Sequence, residues 1–328
     1  MGEMAMLTRR HVFAAVPVAL AVPGVARGQE AAYPSRVIRL IVPFIPGSAP
    51  DINARQMADG IGQRLGQTVV IENRPGAAGN LGFTYVAKQV VPDGYTLLWG
   101  TGGLVINPAL YGRVNYDTLA DFTPIALALG MSCTVVVRND SPVRSLADLV
   151  AMLKRDPRTP YASGGFGTAA HLTVALFLAG TGTEAEHIPY RGAPDIINAV
   201  RAGTVAFGMP QTQVALPLVQ AGQLRAIGVT TPQALPQLPG VPPVAEVVPG
   251  YDFLSWMGLL GPAGLPPAIV ARVERAAMDT LADPAFRARV SADGTSLLGL
   301  GADAFRAFLP GDLVRGREMV RISGAKLE

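Results

Sequence analysis

Two stretches of small residues hold the chemistry this chain can offer. The first is Pro43-Phe44-Ile45-Pro46-Gly47-Ser48-Ala49-Pro50-Asp51. The second is Tyr161-Ala162-Ser163-Gly164-Gly165-Phe166-Gly167-Thr168-Ala169-Ala170-His171. Each leaves a strand-like run and enters a helical pattern. Backbone N–H groups at a helix N-terminus point outward and carry a partial positive charge, which suits a carboxylate or phosphate. Two such loops facing each other can clamp one anion between them.

The elements that must position these loops are legible around them. The apolar, β-branched run 37–42 fits a strand buried on both faces. Pro43, Pro46, Gly47, Ser48 and Pro50 then break regular structure, and Asp51 is a candidate N-cap for a helix over 52–65. In an open α/β sheet this order puts the first loop at a strand's carboxyl end, where ligands bind. The second loop precedes a helix over 169–179, with His171 in its first turn. Further strands are expected over 68–72 and 95–100, with a Gly-rich loop at 74–82 and a helix at 83–90. Thr101 ends a strand and so lies at the same sheet edge. This alternation predicts mostly parallel pairing.

The apolar run 125–138, interrupted by Gly130, reads as a strand pair or a crossover into a second lobe. Ser145 caps a helix over 145–154, with Asp148 in its first turn. Later strands are expected over 204–209 and 226–230, with a short strand and turn over 188–192. Helices follow at 195–202 and 215–221. A Pro-rich loop covers 232–243, and 254–260 returns to the first lobe. Helices over 266–281, 285–292 and 302–322 complete the chain.

Other chemistries find little support. Gly76, Gly79 and Gly82 lack the G-x-G-x-x-G spacing, and no GK[ST] follows, which excludes a dinucleotide site or P-loop. No G-x-S-x-G elbow or HExxH motif supports a hydrolase. The lone cysteine, Cys133, allows no intrachain disulfide and reads as a buried apolar residue. No metal or cofactor is expected.

Residues 1–28 read as a secretory signal. Arg9 and Arg10 precede a short apolar stretch over 12–26, and Ala26-Arg27-Gly28 offers a cleavage site. Its removal takes three of the 27 basic and one of the 24 acidic residues. The mature balance is then close to neutral and gives no support for nucleic-acid binding. A soluble, exported protein is expected, long enough for two lobes with a core in each.

The region 33–328 resembles the solute-binding receptors of tripartite tricarboxylate transporters, also called Bug receptors. Tyr33-Pro34-Ser35-Arg36 through Asp51 is similar to that family's mature N-terminus. Glu72-Asn73-Arg74-Pro75-Gly76, Pro92-Asp93-Gly94-Tyr95-Thr96, Asn107-Pro108-Ala109-Leu110-Tyr111, Pro189-Tyr190-Arg191-Gly192 and Gly261-Pro262-Ala263-Gly264 follow in the family's order. The resemblance implies an α/β, two-lobe periplasmic binding protein fold (type II-like). Each lobe is then a mostly parallel sheet flanked by helices, with lobe one formed by 33–130 plus 254–328 and lobe two by 131–253. It implies a binding protein that is not an enzyme and acts as a monomer. Its ligand would be a small carboxylate, delivered to the membrane subunits of a transporter. An orphan receptor serving a membrane signalling partner is the alternative.

Carried over residue by residue, the ligand site is Phe44, Gly47, Ser48, Ala49 and Asp51 of the first loop. The second loop supplies Ser163, Gly164, Gly165, Phe166, Gly167, Thr168 and His171, and Thr101 lines the floor. The chain departs from the family at Pro50, which has no N–H. It departs again at Ala175, Ala206 and Pro210, where relatives carry acidic residues. These losses remove partners for a ligand ammonium, and Phe44 and Phe166 favour an apolar or aromatic body on the acid.

Overall fold

A computed structural model describes residues 33–324 together with Met1. Apart from Met1, the expected secretory segment lies outside the described residues. In chain order the first elements are β1 (Ile38–Val42), α1 (Ala49–Leu65), β2 (Val69–Asn73), α2 (Asn80–Gln89), β3 (Thr96–Thr101), α3 (Gly103–Leu110) and β4 (Phe122–Met131). Next come β5 (Thr134–Arg138), α4 (Leu146–Arg155), β6 (Pro160–Ser163), α5 (Ala169–Thr181), β7 (Glu186–Pro189), α6 (Ala193–Ala202), β8 (Phe207–Gly208), α7 (Thr212–Gln220) and β9 (Leu224–Val229). The last are β10 (Ser255–Pro262), α8 (Pro267–Ala282), α9 (Pro284–Ala292), β11 (Thr295–Gly301) and α10 (Ala302–Ser323).

β1 is buried on both faces, as its apolar run predicts. Ile38, Leu40 and Val42 pack with Met57 and Ile61 of α1, while Ile41 packs with Phe83 and Leu98 on the other side. The strands form two sheets. One has the order β11-β4-β10-β3-β1-β2 and the other β7-β6-β8-β5-β9. Both are mixed rather than mostly parallel. β1 runs parallel to β2 and β3, and β6 to β7 and β8, while β10, β11, β5 and β9 pair antiparallel with their neighbours. A parallel pair needs a crossover connection, as α1 supplies between β1 and β2. β5 and β10 are the strands that arrive from the other sheet, and both run antiparallel to the strands beside them.

The chain passes between the sheets twice, through Ser132 and Cys133 after β4, and again after β9. A buried hydroxyl cluster joins the crossings. Thr230 Oγ1 accepts from the Cys133 N–H at 2.8 Å and donates to the Phe253 carbonyl at 3.0 Å. Thr212 Oγ1 lies 2.8 Å from both Ser132 Oγ and Thr134 Oγ1. Cys133 is fully buried, and burial pushes its thiol up to about 12.

Three local expectations change. Asp51 is not the N-cap of α1: Ser48 is, the helix begins at Ala49, and Pro50 stands in its first turn. Proline is pre-organised there because a first-turn N–H has no intrahelical partner to lose. α3 and β11 carry no clear signal of their own. α3 contains Pro108, and β11 is an edge strand with a register shift against β4. The strand expected over 204–209 contracts to Phe207–Gly208. Ser145 caps α4 as expected, and Asp148 completes a capping box: Ser145 Oγ accepts from the Asp148 N–H and the Asp148 carboxylate from the Ser145 N–H.

Candidate anion-binding cleft

The N-terminal ends of five helices converge on one cavity. Phe44, Ile45, Ser48 and Pro50 line it from the start of α1, and Thr101, Gly103 and Ile106 from α3. The second sheet contributes Gly164, Gly167, Thr168, Ala169 and Ala170 at α5, then Arg191, Gly192, Ala193 and Ile196 at α6, and Gln211 before α7. Strand ends and their helix starts thus meet from both sheets. First-turn amides lack intrahelical acceptors, so the cavity collects partial positive charge from several directions. No acidic side chain lines it, and Arg191 is its one charged residue.

The cavity itself is small, about 60 Å³, room for a few water-sized groups. Beside it opens a second, wider cavity of about 510 Å³, lined by Phe44, Tyr111, Phe166, Pro189, Arg191 and the loop from Pro75 to Gly79. In that loop Ala77 and Ala78 hold left-handed backbone (φ 47° and 52°), an uncommon state for alanine. Asn107 Nδ2 secures it by donating to the Ala78 carbonyl at 3.1 Å. Gly82, in the first turn of α2 behind the loop, allows close packing: a Cβ there would stand 2.7 Å from the Pro43 Cβ.

The residues singled out in the sequence divide by place. Phe44, Ser48, Thr101, Gly164, Gly167 and Thr168 line the small cavity, while Gly165 and Phe166 line the wider one. Gly47, Ala49, Asp51, Ser163 and His171 line neither: Gly47 is exposed on the first loop, and the other four are buried. Asp51 is buried, and its carboxylate is fully engaged. It accepts from the Gly47 N–H at 3.0 Å, from Arg55 Nε and Nη2 at 3.0 Å each, and from Asn73 Nδ2 at 2.9 Å. Burial raises its pKa, but the bonds from Arg55, Asn73 and Gly47 outweigh this and hold it below the usual carboxylate range. Asp51 therefore fixes the shape of the first loop.

The second loop has its own support. Ser163 Oγ accepts from the Gly165 N–H at 3.1 Å and meets His187 Nε2 at 2.5 Å. His171 Nδ1 accepts from the Gly167 N–H at 3.3 Å. The two imidazoles lie 4.6 Å apart, with Phe166 edge-on to His187. Burial, with a smaller contribution from His187, pushes His171 down to about 4, and burial lowers His187 as well. Burial thus favours the neutral form of both rings, which suits His171 Nδ1 as the acceptor of the Gly167 N–H.

Sequence reasoning passed over Ile45, Arg191, Gly192, Gln211, Phe253 and Ser255. A signal existed for three of them. Gly192 follows β7 and opens α6, and Gln211 follows β8 and opens α7, repeating the strand-end and helix-start order of the two chosen loops. Arg191 stands in the same turn. Phe253 and Ser255 reach the cavity only through the return crossing. No group of three or more His, Cys, Asp or Glu residues that could hold a metal ion occurs among the described residues.

Two sheet layers with a cleft at the helix N-termini define a two-lobe periplasmic binding protein. Residues 53–322 match the family described as tripartite tricarboxylate transporter family receptor. The chain belongs to this family, whose members are solute-binding receptors and not enzymes. It is 30% identical over 323 residues to protein BugT of Bordetella pertussis, a match covering 97% of this chain and 99% of BugT. Among solved structures it is similar to Rpa4515 of R. palustris with adipate, with a TM-score of 0.86 and 31% identity, covering 90% of this chain and all of that one. MatC of Rhodopseudomonas palustris with bound malate gives a TM-score of 0.82 at 27% identity, with 88% and 100% covered.

Proposed function

We propose that this protein is exported to the periplasm, captures a small carboxylate between lobe one (33–130 plus 254–328) and lobe two (131–253), and delivers it to the membrane subunits of a tripartite tricarboxylate-type transporter. One observation carries the reading: the N-termini of α1, α3, α5, α6 and α7 surround a cavity with no acidic side chain. The adipate of Rpa4515 and the malate of MatC support the same ligand class.

A few charge-assisted hydrogen bonds of roughly 1.5–3 kcal/mol each, less the cost of closure, reach micromolar affinity at about −8 kcal/mol. A receptor must also release its ligand, and backbone amides give moderate, reversible binding. The same cavity disfavours amino acids, because it presents no carboxylate to an ammonium. A thermal-shift screen of residues 29–328 against mono-, di- and tricarboxylates, aromatic acids and amino acids tests the reading. A ligand at a hundred times its Kd stabilises by about 2.7 kcal/mol, visible as a shift of a few degrees. Stabilisation by carboxylates and not by glutamate or aspartate is expected. Loss of uptake of that acid on deleting the protein tests delivery.

A further inference from the structure

We infer that Arg191 reads a second anionic group on the ligand, so that the ligand is a dicarboxylate whose two ends occupy different cavities. The inference rests on the carboxylate reading above and assigns the residue that selects within it. Arg191 is the one charged residue lining either cavity, and it lines both. It stands where the small cavity opens into the wide one, in the turn between β7 and α6.

Its guanidinium is exposed and makes no ion pair or side-chain hydrogen bond among the described residues. Elsewhere in the fold Arg39, Arg55, Arg74 and Arg138 are each spent on a carboxylate. A guanidinium presents a planar fork matched to a carboxylate, and at Arg191 that fork is uncommitted at the mouth of the site.

The turn holding it is closely placed against the opposite loop. A Cβ added to Gly192 would lie 3.0 Å from Ile45 Cδ1 of the first loop. The cavity sizes fit a division of labour. The small one takes one carboxylate onto the helix N-termini, and the hydrocarbon body passes Phe44 into the wider one. The second carboxylate then comes within the reach of Arg191.

The test is calorimetric titration of the wild-type protein, Arg191→Gln and Arg191→Lys with linear dicarboxylates of four to eight carbons and with monocarboxylates of equal length. Wild type is expected to prefer one dicarboxylate over its matched monocarboxylate. Arg191→Gln should lower affinity for that dicarboxylate by about tenfold to a hundredfold and for the monocarboxylate by clearly less, with Arg191→Lys in between. An equal loss for both acids, or no loss for either, overturns the inference and leaves the carboxylate reading intact. So does a wild type that binds mono- and dicarboxylates equally. A wild type that binds no acid overturns both. Because Arg191 is exposed and unpaired, an unchanged melting temperature without ligand separates lost recognition from lost folding.

Discussion

Asn53 Nδ2 donates to Gln213 Oε1 at 2.8 Å, tying α1 beside the first sheet to α7 beside the second across 160 positions of sequence. Both side chains are buried, and Gln213 Nε2 continues the link to Asp293 Oδ2 at 3.0 Å. Removing Gln213 strips Asn53 of its acceptor on the opposite lobe. Gln213→Ala is expected to weaken carboxylate binding by about tenfold, the equivalent of one buried hydrogen bond near 1.4 kcal/mol. Calorimetric Kd values for variant and wild type check this.

Gly167 sets how closely the second loop approaches α3. Its φ is +76°, and a Cβ there would lie 2.0 Å from Leu110 Cδ2. Gly167→Ala combines left-handed strain of about 1 kcal/mol with a clash against a buried leucine. Ligand affinity should fall at least tenfold while far-UV circular dichroism stays native-like. Unchanged affinity would show that the cleft tolerates the displaced loop.

Asp51 is predicted to matter for folding more than for ligand contact. Asp51→Asn keeps the shape but turns an NH₂ group toward donors on Arg55 or Gly47. A stability loss of roughly 1–3 kcal/mol is expected in urea unfolding. With its folded pKa depressed, the native carboxylate stabilises at pH values above its unfolded pKa, and this is lost as pH falls through the folded pKa. The variant should therefore show a shallower acid limb below about pH 4.

The buried His171 and the half-buried His187 act in a higher pH window. His171 at about 4 and the lowered His187 have folded pKa values beneath the ordinary 6.5. The unfolded chain therefore takes up protons first as pH falls. Stability should be flat above pH 6.5 and decline below it, for His171 by up to about 1.4 kcal/mol per pH unit down to about pH 4, with His187 adding to the slope in the same direction. Urea midpoints measured between pH 7.5 and 4.5 check the slope, and His171→Gln should reduce it.

Cys133 gives a simple probe of folding. The thiol is the chain's one cysteine, and it is fully buried with its pKa pushed up to about 12. Iodoacetamide should leave the native protein unmodified over hours and label one site promptly in denaturant. Rapid native labelling would mean that the Ser132–Cys133 crossing opens easily.

Much of this arrangement was legible before any coordinates. The strand read over 37–42, the breaks at Pro43 and Pro46, and the Ser145 cap with Asp148 in the first turn depend on local preference, which short stretches encode directly. The placement of Ser48 as N-cap depends on how Pro50 fits the first turn, a finer distinction than the motif alone conveys. α3 and β11 were hidden because tertiary packing holds them: α3 lies under α10, and β11 completes a sheet edge far from its partner β4 in sequence.

The sequence by itself determined that two loops of small residues would each meet a helix N-terminus at a strand's carboxyl end, because turn-formers and caps act within a few residues. Tertiary structure alone decided which of those residues face the cavity. It turned Asp51 and His171 inward as supports, because their polar atoms meet Arg55, Asn73 and Gly167. It also brought Arg191, Gln211 and Phe253 to the cleft through two crossings and a turn. Such meetings depend on the packing of distant segments, and no local pattern encodes them.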